Sequence, residues 1–475
     1  RYVEAAEAAV RLVGVLDSDP EARPHLIQDA RILVSELTAV SQLPREAQLD
    51  LATADSLSLA AISHKENGEY ARSEAALVRE LTLRRAHLEA PCTSIADALW
   101  GRAIVAEAQG RTGDSESFFR ESREMYRSLL GTDHPDYASA TNSLGLLLDA
   151  PGRCGEAAPF FREALEIRRR ILEAPHVDIA HSLNNAAMAA DCEGDYEEAL
   201  RLHREALAMR RELFGEDNQW VAQSLSNMGS TLDDMGDHEA AREACAEALE
   251  MRRRLFGNVH IDVAESATSL GTHLHERGDV AGAEELYREA LSIKMELLGD
   301  DHPDVGLAMN NLAAALDRQG DYAQAEVLYR HALAVRLAAL PEPDLWCAAS
   351  MNNLGIVLIH QKDYLGAESL LREAASLFSE IVGEDHMHTL SCLMSLAASS
   401  RGQGAYAEAE ALYRDVLERA EAVLGEDHIL VAACLNNLGG TLQKLGKCEE
   451  AEASHRRALE IAMERLEVTD LRVRR

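Results

Sequence analysis

The chain has 475 residues, a net charge of −34, 47% apolar residues and only 4% aromatics. That apolar fraction excludes a disordered chain, and the acidity excludes a nucleic-acid partner, whose phosphates it would repel. No stretch reaches the roughly 18 consecutive apolar residues of a membrane span, so no membrane partner is expected. At about 150 residues per domain, the length suggests three domains.

Residues 1–50 come first. A helical pattern over about 1–43 is broken at Asp17-Ser18-Asp19-Pro20 and again at Pro44, since proline cannot continue a helix. The stretch keeps no repeat phase and reads as a degenerate repeat, a cap or the end of an upstream domain. The chain begins without methionine, which suggests a fragment. Its first fifteen residues lack the apolar run and cleavage site of a signal peptide.

From Leu51 a 42-residue period takes over and replaces the three domains with an array. Glycine recurs at Gly68, Gly110, Gly152, Gly194, Gly236, Gly278, Gly320, Gly404 and Gly446, with Lys362 in the one slot that glycine misses. Ala157, Ala199, Ala241, Ala283, Ala325, Ala367, Ala409 and Ala451 recur in step, as do Asn184-Asn185, Asn310-Asn311, Asn352-Asn353 and Asn436-Asn437. Ten units cover residues 51–470.

Each unit reads as two helices. In the unit from Pro303, Val305, Ala308, Leu312 and Leu316 mark one helical face. Pro303 and Asp304 suit the first turn, and Gln319-Gly320-Asp321 ends the helix. A second helix follows from about Tyr322, burying Ala325, Leu328, Tyr329, Ala332, Leu333 and Leu337. Ala325 and Ala332 let the helices approach, so a bulky residue at either should cost about 1–3 kcal/mol by overpacking, measurable by thermal unfolding. At the far end, Leu459, Ile461 and Leu466 expect a following helix to cover them, and residues 471–475 read as a truncated tail.

Gly-Asp-Tyr-x-x-Ala followed by a Tyr-Arg-x-Ala-Leu helix resembles the tetratricopeptide repeat. The 42-residue length, the Gly-Glu-Asp-His connector and the Asn-Asn-Leu-Gly helix resemble its kinesin-light-chain-like subfamily, widespread in bacterial proteins. The resemblance covers about residues 51–466. It implies an all-α, right-handed superhelical solenoid of about ten antiparallel helix-turn-helix repeats that binds proteins or peptides. The early units depart most: Trp100-Gly101 replaces the Asn pair. Later, Pro341-Glu342-Pro343-Asp344 replaces the connector.

Little else in the chain points to chemistry. Eight cysteines form no Cys-x-x-Cys pair and read as buried, reduced thiols of a cytoplasmic protein. His134, His176, His260, His302, His386 and His428 recur in phase, but repeats stack about 10 Å apart, too far for neighbouring histidines to share one zinc. Capping or packing at the start of the first helix is expected of them instead. The run Gly439-Gly440-Thr441-Leu442-Gln443-Lys444-Leu445-Gly446-Lys447-Cys448 fails as a phosphate loop: its glycine spacing is wrong and no Ser or Thr follows the lysine. Gly402-x-Gly404 fails too, lying between helices with no strand before it. No catalytic constellation, metal site or cofactor is expected.

The resemblance places the first helices on the concave surface, so Asn142, Asn184, Asn310, Asn352 and Asn436 are expected to face the groove. A carboxamide both donates and accepts, and so can hold a peptide backbone without demanding a sequence. Asn185, Asn227, Asn311, Asn353 and Asn437 sit on the flank and are expected to hydrogen-bond between repeats. Seven residues after the groove slot come Glu107, Asp149, Asp191, Asp233 and Asp317, then Ile359, Arg401 and Gln443. Carboxylates near a helix C-terminus oppose the dipole. The row is either a solvated acidic face or a groove selecting a basic segment. The expected function is a protein- or peptide-binding scaffold. The alternative is the sensor arm of a larger bacterial signalling protein whose nucleotide-binding or kinase module lies outside these residues.

Overall fold

The computed structural model describes residues 2–18, 23–89, 91–149, 153–339 and 343–473. Asp19, Pro20, Gly152, Pro341 and Glu342 lie outside the described residues, as do the side chains of Cys154 and Leu466. Among the described residues there are 22 α-helices and no strand.

The chain divides into two compact units, Arg1–Glu216 and Asp217–Arg475. The first holds five helical hairpins: α1 (Tyr2–Asp17) with α2 (Pro24–Gln42), α3 (Arg45–Glu66) with α4 (Tyr70–His87), α5 (Thr93–Ala108) with α6 (Thr112–Leu130), α7 (Pro135–Leu148) with α8 (Cys154–Ile171), and α9 (Val177–Cys192) with α10 (Tyr196–Phe214). The second holds six: α11 (Gln219–Asp234) with α12 (His238–Phe256), α13 (Ile261–Glu276) with α14 (Val280–Leu298), α15 (Pro303–Gln319) with α16 (Tyr322–Ala339), α17 (Leu345–His360) with α18 (Tyr364–Val382), α19 (Met387–Gly402) with α20 (Tyr406–Leu424), and α21 (Ile429–Lys444) with α22 (Cys448–Val473). First helices begin every 42 residues from Thr93, and second helices every 42 residues from Tyr70. Each unit is a tetratricopeptide-type solenoid in which a hairpin packs on the next.

The repeated residues explain the period. Glycine in the turn slot has φ of 72–88° wherever it is described, a left-handed conformation that only glycine adopts freely. Lys362 in the same slot has φ 68°, the one non-glycine with positive φ among the described residues. Lys362→Gly should therefore raise stability by about 1 kcal/mol, read as an upward shift of the unfolding midpoint. The alanines Ala157, Ala199, Ala241, Ala283, Ala325, Ala367 and Ala409 are wholly buried where paired helices touch. Gly145 goes further: a Cβ there would sit 2.7 Å from the Phe161 ring.

The N-terminal hairpin lies out of phase and docks on the start of α5 and the end of α6. Glu36 of α2 accepts from the Thr93 backbone N–H at 2.9 Å and from its hydroxyl, and Gln28 Nε2 donates to the Leu130 carbonyl at 2.9 Å. At the other end Ile461 lies in the core of the last hairpins. It is buried with Tyr413, Val431 and Leu435 in the core shared by α20, α21 and α22, while Leu459 is exposed.

Candidate functional site

Each first helix buries three sides and leaves one stripe open. On α7 that stripe is Ser139, Asn142, Ser143, Leu146 and Asp149, at helical spacings of three and four, while Tyr137, Ala138, Ala140, Thr141, Leu144, Leu147 and Leu148 are buried. Hydrogen bonds join neighbouring stripes side by side. Trp100 Nε1 on α5 donates to Ser143 Oγ at 3.3 Å, Asn185 Nδ2 on α9 to Asn142 Oδ1 at 3.0 Å, and Ser350 Oγ on α17 to Asn310 Oδ1 at 3.1 Å. The open stripes of each unit thus form one continuous face.

On this face Asn142, Asn310 and Asn352 are half-buried and Asn436 is exposed. Asn142 and Asn310 accept through Oδ1 from the neighbouring first helix, and Asn436 Oδ1 lies 3.1 Å from His455 Nδ1. The carbonyl end of each is thereby fixed, with the amide end beside it. Asn352 Oδ1 is buried without a partner among the described residues. Asn184 differs. It is 4% exposed, covered where the others lie open or half-open, with its Nδ2 3.5 Å from the Met188 sulfur.

The acidic row splits between the units. Glu107 on α5 is exposed and Asp149 after α7 half-buried, and neither forms an ion pair among the described residues. Burial pushes both carboxyls above their ordinary range. Asp191 is half-buried on α9. Asp233 on α11 is instead held by the protein's own side chains. His238 Nδ1 lies 2.7 Å away, His273 Nδ1 3.2 Å and an Arg277 nitrogen 3.3 Å, and its side chain is only 9% exposed. Burial pushes that carboxyl up, but hydrogen bonds from His238 and His273 and the charges of His273 and Arg277 outweigh it, leaving the group below its ordinary range. Asp317 on α15 has His360 Nδ1 at 3.0 Å.

These opposite shifts carry opposite signs for stability. A raised carboxyl pKa means the charge costs stability at neutral pH, and that cost is relieved as pH falls. A lowered one means the charge stabilises above the unfolded-state pKa, and the gain is lost as pH falls through the folded value. Asp149→Asn should therefore raise the unfolding midpoint at pH 7. Asp233→Asn should lower it by removing the carboxylate that Arg277, His238 and His273 surround, a cost of about 1–3 kcal/mol. Paired thermal melts check both signs.

Comparison with known proteins places this architecture. A tetratricopeptide repeat profile matches residues 94–170, 178–254, 220–296, 262–338, 346–422 and 392–464, and a second such profile matches 59–122. The chain belongs to the tetratricopeptide repeat family. No curated protein matches its sequence. Among solved structures it is similar to a Signal Transduction ATPase with Numerous Domains (STAND) protein with a tetratricopeptide repeat sensor from Pyrococcus horikoshii, at 14% identity and TM-score 0.55, over 93% of this chain and 67% of that one. It is also similar to the apo quorum sensor NprR from B. thuringiensis, at 12% identity and TM-score 0.54, over 77% and 98%. BtubC (BKLC) from P. vanneervenii matches at 24% identity and TM-score 0.40, over 50% and 93%. At these identities the first two likenesses show the fold alone.

In this tetratricopeptide array the in-phase histidines are N-caps. His134, His176, His260, His302, His386 and His428 each accept through Nδ1 from the backbone N–H two residues on, at 3.1–3.2 Å. Asn218 does the same in its slot. Two clusters, Asp29–His134–Asp136 and Asp233–His273–Glu276, bring ligand atoms within 4.8 Å of one another. His134 Nδ1 is already engaged as a cap, and its Nε2 lies 2.7 Å from Asp29. One cysteine departs from expectation: Cys192 is disulfide-bonded, whereas Cys92, Cys245, Cys347, Cys392, Cys434 and Cys448 are free thiols. Sequence spacing carries no sign of that bond, because a disulfide requires approach in space.

The period also hides a second polar row, on the second helices. Arg84, Arg168, Arg210, Arg252, Lys294 and Arg336 share one slot, and all but Arg252 and Arg336 are almost fully buried. Arg168 donates to the Asp178 carbonyl at 3.2 Å and to Ser182 Oγ at 2.8 Å, and Arg252 to the Asp262 carbonyl at 3.3 Å and Ser266 Oγ at 2.6 Å. These guanidinium groups tie one hairpin to the next first helix. Arginine with serine fourteen residues later was the visible signal.

Proposed function

We propose that this chain is a non-catalytic scaffold whose open first-helix face binds a segment of a partner protein. The observation that carries the reading is the set Asn142, Asn310 and Asn436. Their carbonyl oxygens are fixed by neighbouring side chains, and their amide hydrogens are left to donate to a backbone lying on the face. A peptide held by backbone contacts needs apolar or charged neighbours for selectivity, and the stripe supplies both. Asp191, Asp233 and Asp317 belong to that face, but in this reading Asp233 and Asp317 keep its shape and do not choose the ligand. The test is selection of a displayed random-peptide library on the full chain, followed by affinity measurement. Asn310→Ala with Asn352→Ala and Asn436→Ala should weaken selected peptides at least tenfold. Unchanged affinity would contradict the reading.

A second reading is the sensor arm of a larger bacterial signalling protein. What supports it is the fold likeness, over 93% of this chain, to a protein described as carrying a tetratricopeptide repeat sensor beside an ATPase. The coding sequence on either side decides it: a phosphate-loop or kinase module supports the sensor, and unrelated sequence opposes it.

A further inference from the structure

In the first unit the open face is apolar along its middle and acidic at its edge. Ile62, Leu146 and Met188 are 49%, 49% and 40% exposed, and half-buried Ile104 occupies the same repeat position. Between α3 and α5 this stripe opens into a cavity of about 330 Å³, walled by Ile62, Leu77, Trp100 and Ile104 with Lys65 and Asp97 at its rim. The cavity exists because Ser58 and the Trp100-Gly101 pair stand where later units carry their asparagines. Its volume is at the small end of ligand pockets, enough for a large side chain but not a large cofactor. Asp97 already accepts from the Tyr126 hydroxyl.

The charges beside it indicate the occupant. Glu107 lies two helical turns beyond Trp100, about 10 Å along α5, and Asp149 lies one repeat further on. Neither forms an ion pair among the described residues, and burial holds both above the ordinary carboxylate range, so a cation on a bound segment would gain from pairing with them. Lys65 occupies the corresponding place on α3, which ends the acidic run on the cavity's other side. An extended chain advances about 3.3 Å per residue, so it covers the 10 Å along α5 in about three residues and, after turning, the roughly 10 Å across to the next repeat in about three more.

We propose that the first unit binds a basic segment of a partner protein, with one large apolar side chain seated beside Trp100, a cation about three residues on against Glu107 and, where the segment turns from α5 across to α7, a second cation about three residues further on against Asp149. This rests on the peptide-binding reading above and names the chemistry of its ligand. The apolar anchor supplies burial and the two carboxylates supply choice and direction.

The probe is a fluorescein-labelled peptide carrying one leucine with arginine three and six residues later in a glycine–serine background, measured by fluorescence polarisation on the full chain. Binding should weaken at least tenfold when aspartate replaces both arginines, and at least tenfold in the double variant Glu107→Lys with Asp149→Lys. Ile62→Asp, at an exposed position that folding tolerates, should weaken it similarly, with circular dichroism confirming intact helices. Raised salt should reduce the arginine preference. Equal affinity for both peptides, no detectable binding of the arginine peptide, or no response to the first-unit variants overturns the proposal. If library-selected peptides still respond to the asparagine substitutions in that case, the groove reading survives and only the basic-segment inference falls.

Discussion

Phe161→Ala should cost about 3–5 kcal/mol, the usual price of emptying an aromatic site in a packed core. Phe161 is 1% exposed and lies against Gly145, a glycine whose missing Cβ makes room for the ring. It also belongs to the core that joins Leu144 and Leu148 of α7 to Leu183 and Ala187 of α9. Nothing small can refill that space, because the neighbouring backbones are held by their own hairpins. In a repeat array the loss is passed to adjacent hairpins more than to distant ones. Hydrogen exchange should therefore quicken first in α7, α8 and α9, with α17 and α18 unchanged. Uniform quickening across the chain would contradict a nearest-neighbour stack.

His203→Phe should remove an acid sensitivity worth about 3 kcal/mol. His203 is wholly buried on α10, at the repeat position that holds Phe119 and Phe161 in earlier units. Neither ring nitrogen has a partner among the described residues. Burial, and then the Arg210 charge, lower its pKa from 6.5 to about 4. The unfolded chain then takes up a proton near pH 6.5 that the folded chain refuses until about pH 4. Stability is complete above pH 6.5, falls across that window and levels off below it; the shift corresponds to about 3 kcal/mol. Phenylalanine cannot take the proton, so urea midpoints of the variant should lose this step while keeping the carboxylate losses at lower pH. An unchanged slope between pH 6.5 and 4 would mean that His203 finds a partner.

Most of the fold was legible because the period repeats one packing solution. The 42-residue spacing of glycine and alanine gave the hairpin boundaries that α5 to α22 follow, and the physical reason is visible in the positive φ at Gly68 or Gly320 and the total burial of Ala325. The N-terminal hairpin was not legible in that way, since its docking rests on single contacts such as Glu36 with Thr93. The site was legible only as a face. Which side of a helix stays open follows from spacing, but whether a residue there is available depends on its neighbours in space. Asn184 is covered over. Asp233 and Glu107 share a sequence slot, yet one is encircled by His238, His273 and Arg277 and the other stands alone. The apolar stripe from Ile62 to Met188 ran in phase in the sequence, but its cavity appears only once Trp100 and Gly101 are placed beside α3.

The most direct test of the binding face is a photo-crosslinking map. A library-selected peptide carrying a photoreactive phenylalanine is irradiated on the full chain, and the joined positions are read by mass spectrometry. Crosslinks should fall on the open stripe, at or beside Ile62, Ile104, Asn142, Leu146, Asn310, Asn352 and Asn436. Crosslinks confined to the outer surfaces of second helices, such as α8, α16 or α18, would contradict the account.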